Sequence, residues 1–245
     1  DTSAAWTRHQ SPAPCGRNPF IKDPATGHPA YYWSFGHFCC DGSSGAIWGY
    51  DGWDALLHGH ASGAVTRSSI EVVEQIAPWR FLECEWWADS AGDGQFKGGI
   101  GTRAKYVNLN PSIGFRPGDI EMQTGTCNGE KFPPFGLLGG TDGKAVRFWV
   151  ERNGELIPLY TMDLVLLEPG DAIISLVGGG GGVGEPINRE VNKVRLDALN
   201  EYISIENARD TYGVIINPET FQADYEATNK LRGEKEKEKE SKADF

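Results

Sequence analysis

Five consecutive glycines, Gly178 to Gly182, with Gly184 one residue further on, constrain this chain more than any other stretch. An apolar run, Ala172-Ile173-Ile174-Ser175-Leu176-Val177, feeds into them, and helical periodicity begins soon after. Glycine is selected where φ must be positive, or where another backbone or a ligand comes too close for a Cβ. A flexible linker is ordinarily mixed with Ser and bounded by polar residues. Here the boundaries are Val177 and Val183, with Glu185-Pro186 behind. The stretch therefore reads as an ordered strand-to-helix crossing.

Glycine is frequent elsewhere too, 32 of 245 residues, and helical periodicity is sparse. That predicts a β-rich α+β fold, with many short antiparallel strands, Gly-rich turns and short C-terminal helices. Residues 1–30, with Pro12, Pro14, Pro24 and Pro29, read as an extended N-terminal arm lying on a surface. Residues 31–186 form the β-rich body. It opens on an aromatic block, Tyr31 to Phe38, whose apolar area demands burial or an interface. Strands are expected at Trp79–Trp87, 102–109, 120–124, 145–152, 156–160 and 164–167, with Asn153-Gly154 a strong hairpin signal. Residues 187–232 form the helical segment: Val191, Val194, Ala198, Leu199 and Tyr202 recur at helical spacing, and Ser204 is an N-cap for a second helix. Pro218 is expected to start a third. The charged tail, 233–245, reads as a disordered or frayed helical end.

The net charge of −11 belongs to residues 1–230, because the last fifteen residues carry five bases and five acids. An acidic body repels phosphate backbones and anionic lipid, which argues against nucleic-acid and membrane-surface partners. The cysteines are Cys15, Cys39, Cys40, Cys84 and Cys127, an odd count with one vicinal pair and no C-x-x-C spacing. That pattern suits reduced thiols in the cytoplasm.

His58-Gly59-His60 with Asp54 is the one His-rich cluster. Asp54 and His58 would share a face of a helix, and two histidines with a carboxylate can hold a divalent metal. Gly59 weakens such a helix, and loop histidines without a ligand are the weightier reading. His37 beside Cys39 and Cys40 lacks a third group to orient a nucleophile, so buried structural thiols are expected there. The glycine run could cradle phosphate at a helix start, but no G-x-x-x-x-G-K-[ST] and no βαβ-embedded G-x-G-x-x-G accompanies it. Asp89-Ser90-Ala91-Gly92-Asp93-Gly94 lacks the far acidic ligand of a calcium loop.

The order of motifs carries more than any one of them. They are D-G-W-D at Asp51–Asp54, I-E-V-V-E-Q-I-A-P at Ile70–Pro78, D-S-A-G-D-G-Q-F-K-G-G-I-G at Asp89–Gly101, G-L-L-G-G-T-D-G at Gly136–Gly143, L-E-P-G-D at Leu167–Asp171, G-G-G-G-G-V-G-E-P-I-N-R at Gly178–Arg189 and A-R-D-T-Y-G-V at Ala208–Val214. In this order the sequence resembles the C-terminal half of the hydantoinase B/5-oxoprolinase family. It departs from it at Lys97, where the family usually has Arg, at Glu185, where it usually has Asp, and at Glu190-Val191, where it usually has Asp-Pro.

The resemblance implies one piece of a split or processed subunit, not expected in that form to act alone, in a multi-subunit ATP-dependent complex. Its partners would be a hydantoinase-A-type ATPase subunit, which binds ATP and Mg, and the remaining N-terminal part of the hydantoinase-B-type subunit. A divalent metal, Zn or Mn, would sit in another chain. Three functions follow: a subunit of an acetone or acetophenone carboxylase using bicarbonate, slightly preferred; a subunit of an ATP-dependent hydantoinase or 5-oxoprolinase; or a non-catalytic scaffold. Asp51, Asp54 and His58 are the candidate catalytic residues, and His58 and His60 the candidate metal ligands.

Overall fold

The structure is a computed structural model that describes residues 4, 13–33, 42–54, 69–110, 120–123, 130–160 and 163–243. In chain order its elements are β1 (Ala13–Lys22), β2 (Pro29–Trp33), α1 (Ile70–Ile76), β3 (Trp79–Trp87), β4 (Gly101–Asn108), β5 (Ile120–Gln123), β6 (Arg147–Arg152), β7 (Glu155–Leu159), β8 (Leu164–Leu166), β9 (Ala172–Val177), α2 (Val191–Leu199), α3 (Ile205–Asp210), β10 (Ile215–Ile216), β11 (Ala223–Asp224) and α4 (Tyr225–Ala243). The fold is β-rich α+β, and its strand pairs are antiparallel.

The apolar run before the glycines becomes β9, the central strand of a five-stranded sheet ordered β3-β4-β9-β6-β7. Period-two alternation puts one face of it into the core. Tyr106, Ile173 and Val150 line up across β4, β9 and β6, as do Ala104, Ser175 and Phe148. All six are buried. Val73 of α1 and Val165 of β8 pack against this face, with Trp79 edge-on to Tyr106 at 5.4 Å between ring centroids. An aromatic pair of this kind adds about 1 kcal/mol beyond the area it buries. Asn153 and Gly154 turn β6 into β7 with φ of 51° and 81°, the two positive values that a type I′ hairpin needs.

A second sheet runs β2-β1-β5-β8. The stretch expected as an arm over residues 1–30 thus contains β1, paired on both sides, with β2 and with β5. An extended backbone has donors and acceptors along both edges, and pairing satisfies them where lying on a surface would not.

Beyond β9 the glycines leave the sheet but not the hydrogen-bond network. Gly179 N donates to Ser90 O at 2.9 Å, Gly180 N to Gly99 O at 2.9 Å, and Gly182 N to Thr141 O at 3.0 Å. Gly180 O accepts from Gly92 N, Gly181 O from Ala46 N and Gly182 O from Leu137 N. A β-strand alternates between two neighbours. This segment distributes its bonds among three stretches, around residues 44–46, 90–101 and 137–141. Side chains would block that approach: a Cβ on Gly180 would overlap the carbonyl of Ser44, and one on Gly98 the carbonyl of Gly180.

The C-terminal elements enclose a second core of Val194, Ala198, Ile203, Ala208, Tyr212, Val214 and Ile216. Ser204 caps α3 as expected, its hydroxyl accepting from Asn207 N at 3.0 Å. Pro218 starts no helix. The Asn217 side chain accepts from Glu219 N at 2.8 Å and Thr220 N at 3.0 Å, which closes a turn instead. The helix begins at Tyr225 and continues through the tail to Ala243. One face of it is anchored. Thr228 is buried and accepts from Ile215 N, Arg232 donates to Tyr212 O and Arg189 O, Lys235 to Asp210 O, and Lys239 to Glu185 Oε1. Among the described residues no helix is long and apolar enough to cross a membrane.

Gly180→Ala should therefore cost roughly 3 kcal/mol or more in urea unfolding, or prevent soluble expression, since the clash is with backbone that cannot rotate away. Gly154→Ala has open space around its Cβ, and should cost only about 1 kcal/mol for its positive φ. Equal losses at the two positions would contradict the packing described.

Candidate functional site

Asp51 and Asp54 end a tight turn. Ser44 N donates to Trp53 O at 3.0 Å, and Ile47 and Tyr50 exchange two backbone bonds of 3.1 Å nearer the tip. The tip carries Gly49 at φ 100°, which a side chain rarely adopts. Both carboxylates face the 97–100 segment. Asp51 Oδ1 accepts from Lys97 N at 2.8 Å, and Asp54 Oδ1 from Ile100 N at 2.6 Å. The three-residue spacing of the acids matches that of the two amides. His58 and His60, and likewise His37, Cys39 and Cys40, lie outside the described residues.

Asp51 is also half of a buried clasp that no local sequence pattern singles out. Arg189, only 2 % exposed, sends Nη1 to Asp51 Oδ1 at 2.7 Å and Nη2 to Asp51 Oδ2 at 2.9 Å. Its Nε and Nη2 reach Asp197 Oδ2 of α2 at 3.0 and 2.9 Å, and Nη1 reaches Gln95 O at 3.2 Å. Four of these contacts are hydrogen bonds, and the contact of Nη2 with Asp197 is an ion pair. Arg232 from α4 holds the Arg189 carbonyl at 2.8 Å. The buried Lys97 lies 5.3 Å from the centre of the Tyr202 ring and donates to Gly98 O at 3.2 Å. The bidentate geometry thus belongs to Arg189, and Lys97 supplies a point charge beside it.

Burial pushes the Asp51 carboxyl up, but the Arg189 hydrogen bonds and charge, with help from Lys97, outweigh it and leave Asp51 below its ordinary 3.8. Burial pulls Arg189 down, while Asp51 and Asp197 hold it up, and the carboxylates win. At Asp197 burial prevails over Arg189 and Lys97, so its value is raised.

The 89–94 turn joins the body to the C-terminal helices. Asp89, at φ 56°, accepts from Ser204 N at 2.8 Å through Oδ1 and donates its own N–H to Tyr202 O. Asp93 accepts from Asn207 Nδ2 at 3.0 Å and lies beside the Tyr212 hydroxyl. Burial raises Asp93 against the opposing influence of the nearby Tyr212 hydroxyl and of the Asn207 hydrogen bond. Tyr212 is raised by burial and by the Asp93 charge. Glu185, longer by a methylene than the Asp expected there, reaches Lys239 at 2.7 Å.

This arrangement locks segments together. The two candidate acids already hold backbone amides, and Asp51 holds the arginine as well. Neither is an open acid–base pair. Among the described residues no three His, Cys, Asp or Glu side chains are grouped to bind a metal. In the glycine run the amides of residues 179, 180, 182, 183 and 184 all donate to carbonyls of the chain. A separate groove of about 380 Å³ at β6 and β7 is lined by Lys131, Arg147, Trp149 and Tyr160, among others.

Arg189→Lys keeps the charge but cannot span two carboxylates, and should cost about 3–5 kcal/mol in urea unfolding. The pH dependence has two signs. Asp51, depressed below 3.8, stabilises above that value and loses the contribution as pH falls through its lower folded value. Asp93, raised, weakens the fold while ionised, and acidification toward 3.8 relieves this. The stability gap between wild type and Asp51→Asn should thus be open at about pH 7 and close below about pH 4. Asp93→Asn should flatten the gain that acidification brings. A pH-independent gap for Asp51→Asn would mean its charge plays no part.

The Hydantoinase B/oxoprolinase family model matches residues 11–186. The chain is 33% identical over 196 residues to the B-type subunit of a putative D-/L-hydantoinase from Pseudomonas sp. (strain NS671), covering 78% of this chain and 31% of that protein. It is 32% identical over 181 residues to the beta subunit of caprolactamase from Pseudomonas jessenii, covering 71% and 29%. The solved structure of that ATP-dependent caprolactamase superposes with a TM-score of 0.70 at 25% identity, over 94% of this chain and 38% of that one. Nucleotide-free acetone carboxylase superposes with a TM-score of 0.74 at 19% identity, over 98% and 34%, a likeness of fold. The chain spans about a third of the length of the relatives it matches. With the family model covering most of its length, this chain belongs to the hydantoinase B/oxoprolinase family.

Proposed function

We propose that this chain is a segment of a hydantoinase-B-type subunit in an ATP-dependent complex that opens a cyclic amide. The observation that carries this reading is the identity of 32–33% to two subunits named for lactam and hydantoin substrates. The ketone carboxylase is approached through fold alone, at 19% identity. The slight preference for a ketone therefore gives way to the amide.

Within that complex the described residues organise rather than react. Arg189, Asp51 and Asp197 fix the crossing from the sheet to the helices, and Asp54 fixes the adjoining turn. ATP and Mg belong to a hydantoinase-A-type partner on this reading. A Zn or Mn ion, where one is needed, belongs to another chain. Activating the amide oxygen at the partner makes the ring carbonyl a better electrophile, which is the chemistry ATP would supply. The odd cysteine count with no C-x-x-C spacing supports a cytoplasmic setting.

The test is turnover by the purified native complex. ATP hydrolysis coupled to ring opening of caprolactam or a hydantoin is expected, with none on acetone or acetophenone plus bicarbonate. Ketone-only turnover would overturn the amide assignment. Loss of turnover in Asp54→Asn with assembly and thermal stability intact would give that residue a chemical role and remove the organising one.

A further inference from the structure

The turn that ends in Asp51 and Asp54 displays apolar side chains to solvent. Ile47, Trp48, Tyr50 and Trp53 are all exposed, the last two by 70% and 72%. Single exposed hydrophobics are ordinary, but four within seven residues of one turn are not. The turn is also rigid. Backbone bonds cross it at two levels, and the Asp51 and Asp54 carboxylates pin its base to the 97–100 segment and to Arg189. A preorganised apolar surface loses little freedom when covered.

The patch extends beyond the turn. Trp48 packs edge-on against Phe96 at 5.5 Å, and Phe96 and Leu137 each bridge to Val183. On either side of Leu137, Phe135 and Leu138 are exposed by 55% and 60%. Exposed apolar groups from two segments therefore meet around one end of the glycine layer.

We infer that this face is where the rest of the hydantoinase-B-type subunit docks, the polypeptide that relatives carry beyond the 29–31% aligned here. About two thirds of such a subunit must pack on something, and this is rigid apolar area that the described body leaves uncovered. The occupant fits by chemistry as well. The acids at the base of the turn are already engaged by Arg189 and backbone amides, so the face asks for an apolar surface with acceptors for the indole N–H groups and the Tyr50 hydroxyl. This rests on the segment reading above. Its readout is contact rather than turnover, so it can fail while the amide assignment stands.

The experiment places a photo-crosslinking benzoylphenylalanine at Trp53 or Tyr50 in the native complex, irradiates, and maps linked peptides by mass spectrometry. Links into hydantoinase-B-type sequence outside these 245 residues are expected. Links only to the ATPase partner, only to a second copy, only within the 245 residues, or none at all, would each overturn the proposal. Should the probe itself prevent assembly, Trp53→Phe and Trp53→Ser decide. Assembly kept by Phe and reduced at least tenfold by Ser supports the docking face, and wild-type assembly with Ser overturns it.

Discussion

The hydrogen bonds from Gly179–Gly184 to three neighbouring stretches are what the rest of the structure depends on. Each backbone group lost from water must find a partner, and here successive residues find theirs in different directions. Side chains would hold the neighbours apart. The glycine run at 178–182 lies directly against the backbone of its neighbours, and Ser44, Gly92, Gly98, Gly99 and Gly140 are among the residues opposite it. One glycine-rich stretch thereby organises segments drawn from residue 46 to residue 141 of the chain.

Charge holds what the backbone brings together. The crossing after the glycines delivers Arg189 to a place where Asp51 and Asp197 converge, and the pair of carboxylates more than offsets the cost of burying the guanidinium. Removing one member leaves the others uncompensated in a dry site, which is why such clasps are sensitive to single changes even when their net contribution is small. The clasp also connects three levels of the molecule. Its arginine carbonyl is held by α4, its second aspartate lies on α2, and its first aspartate supports the exposed aromatic turn.

Local chemistry is legible in the sequence. The Asn153-Gly154 hairpin and the Ser204 cap follow from residues within a few positions of each other, and both stand where expected. Non-local pairing is not legible. Nothing within residues 13–22 shows that both edges of that strand find partners. Pro218 suggests a helix, but the side chain of Asn217 captures the next two free amides first. The C-terminal helix hides its anchored face because that face is Thr228, Arg232, Lys235 and Lys239, regularly spaced yet without apolar residues, so hydrophobic periodicity is silent there. Asp51 stands out in the sequence as a chemical candidate. Its partner Arg189 lies 138 residues away, and only an isolated arginine after a glycine run, followed by an acid on the next helix, hints at it.

A core layer made of peptide groups has a thermal signature different from one made of leucines. Exposing apolar surface raises the heat capacity on unfolding, and exposing polar surface lowers it. The glycine layer contributes mainly the second kind. Its presence between two conventional apolar cores flattens the curve of stability against temperature relative to an all-apolar interior of the same size. Its cohesion then owes less to the water structure that weakens hydrophobic contacts in the cold.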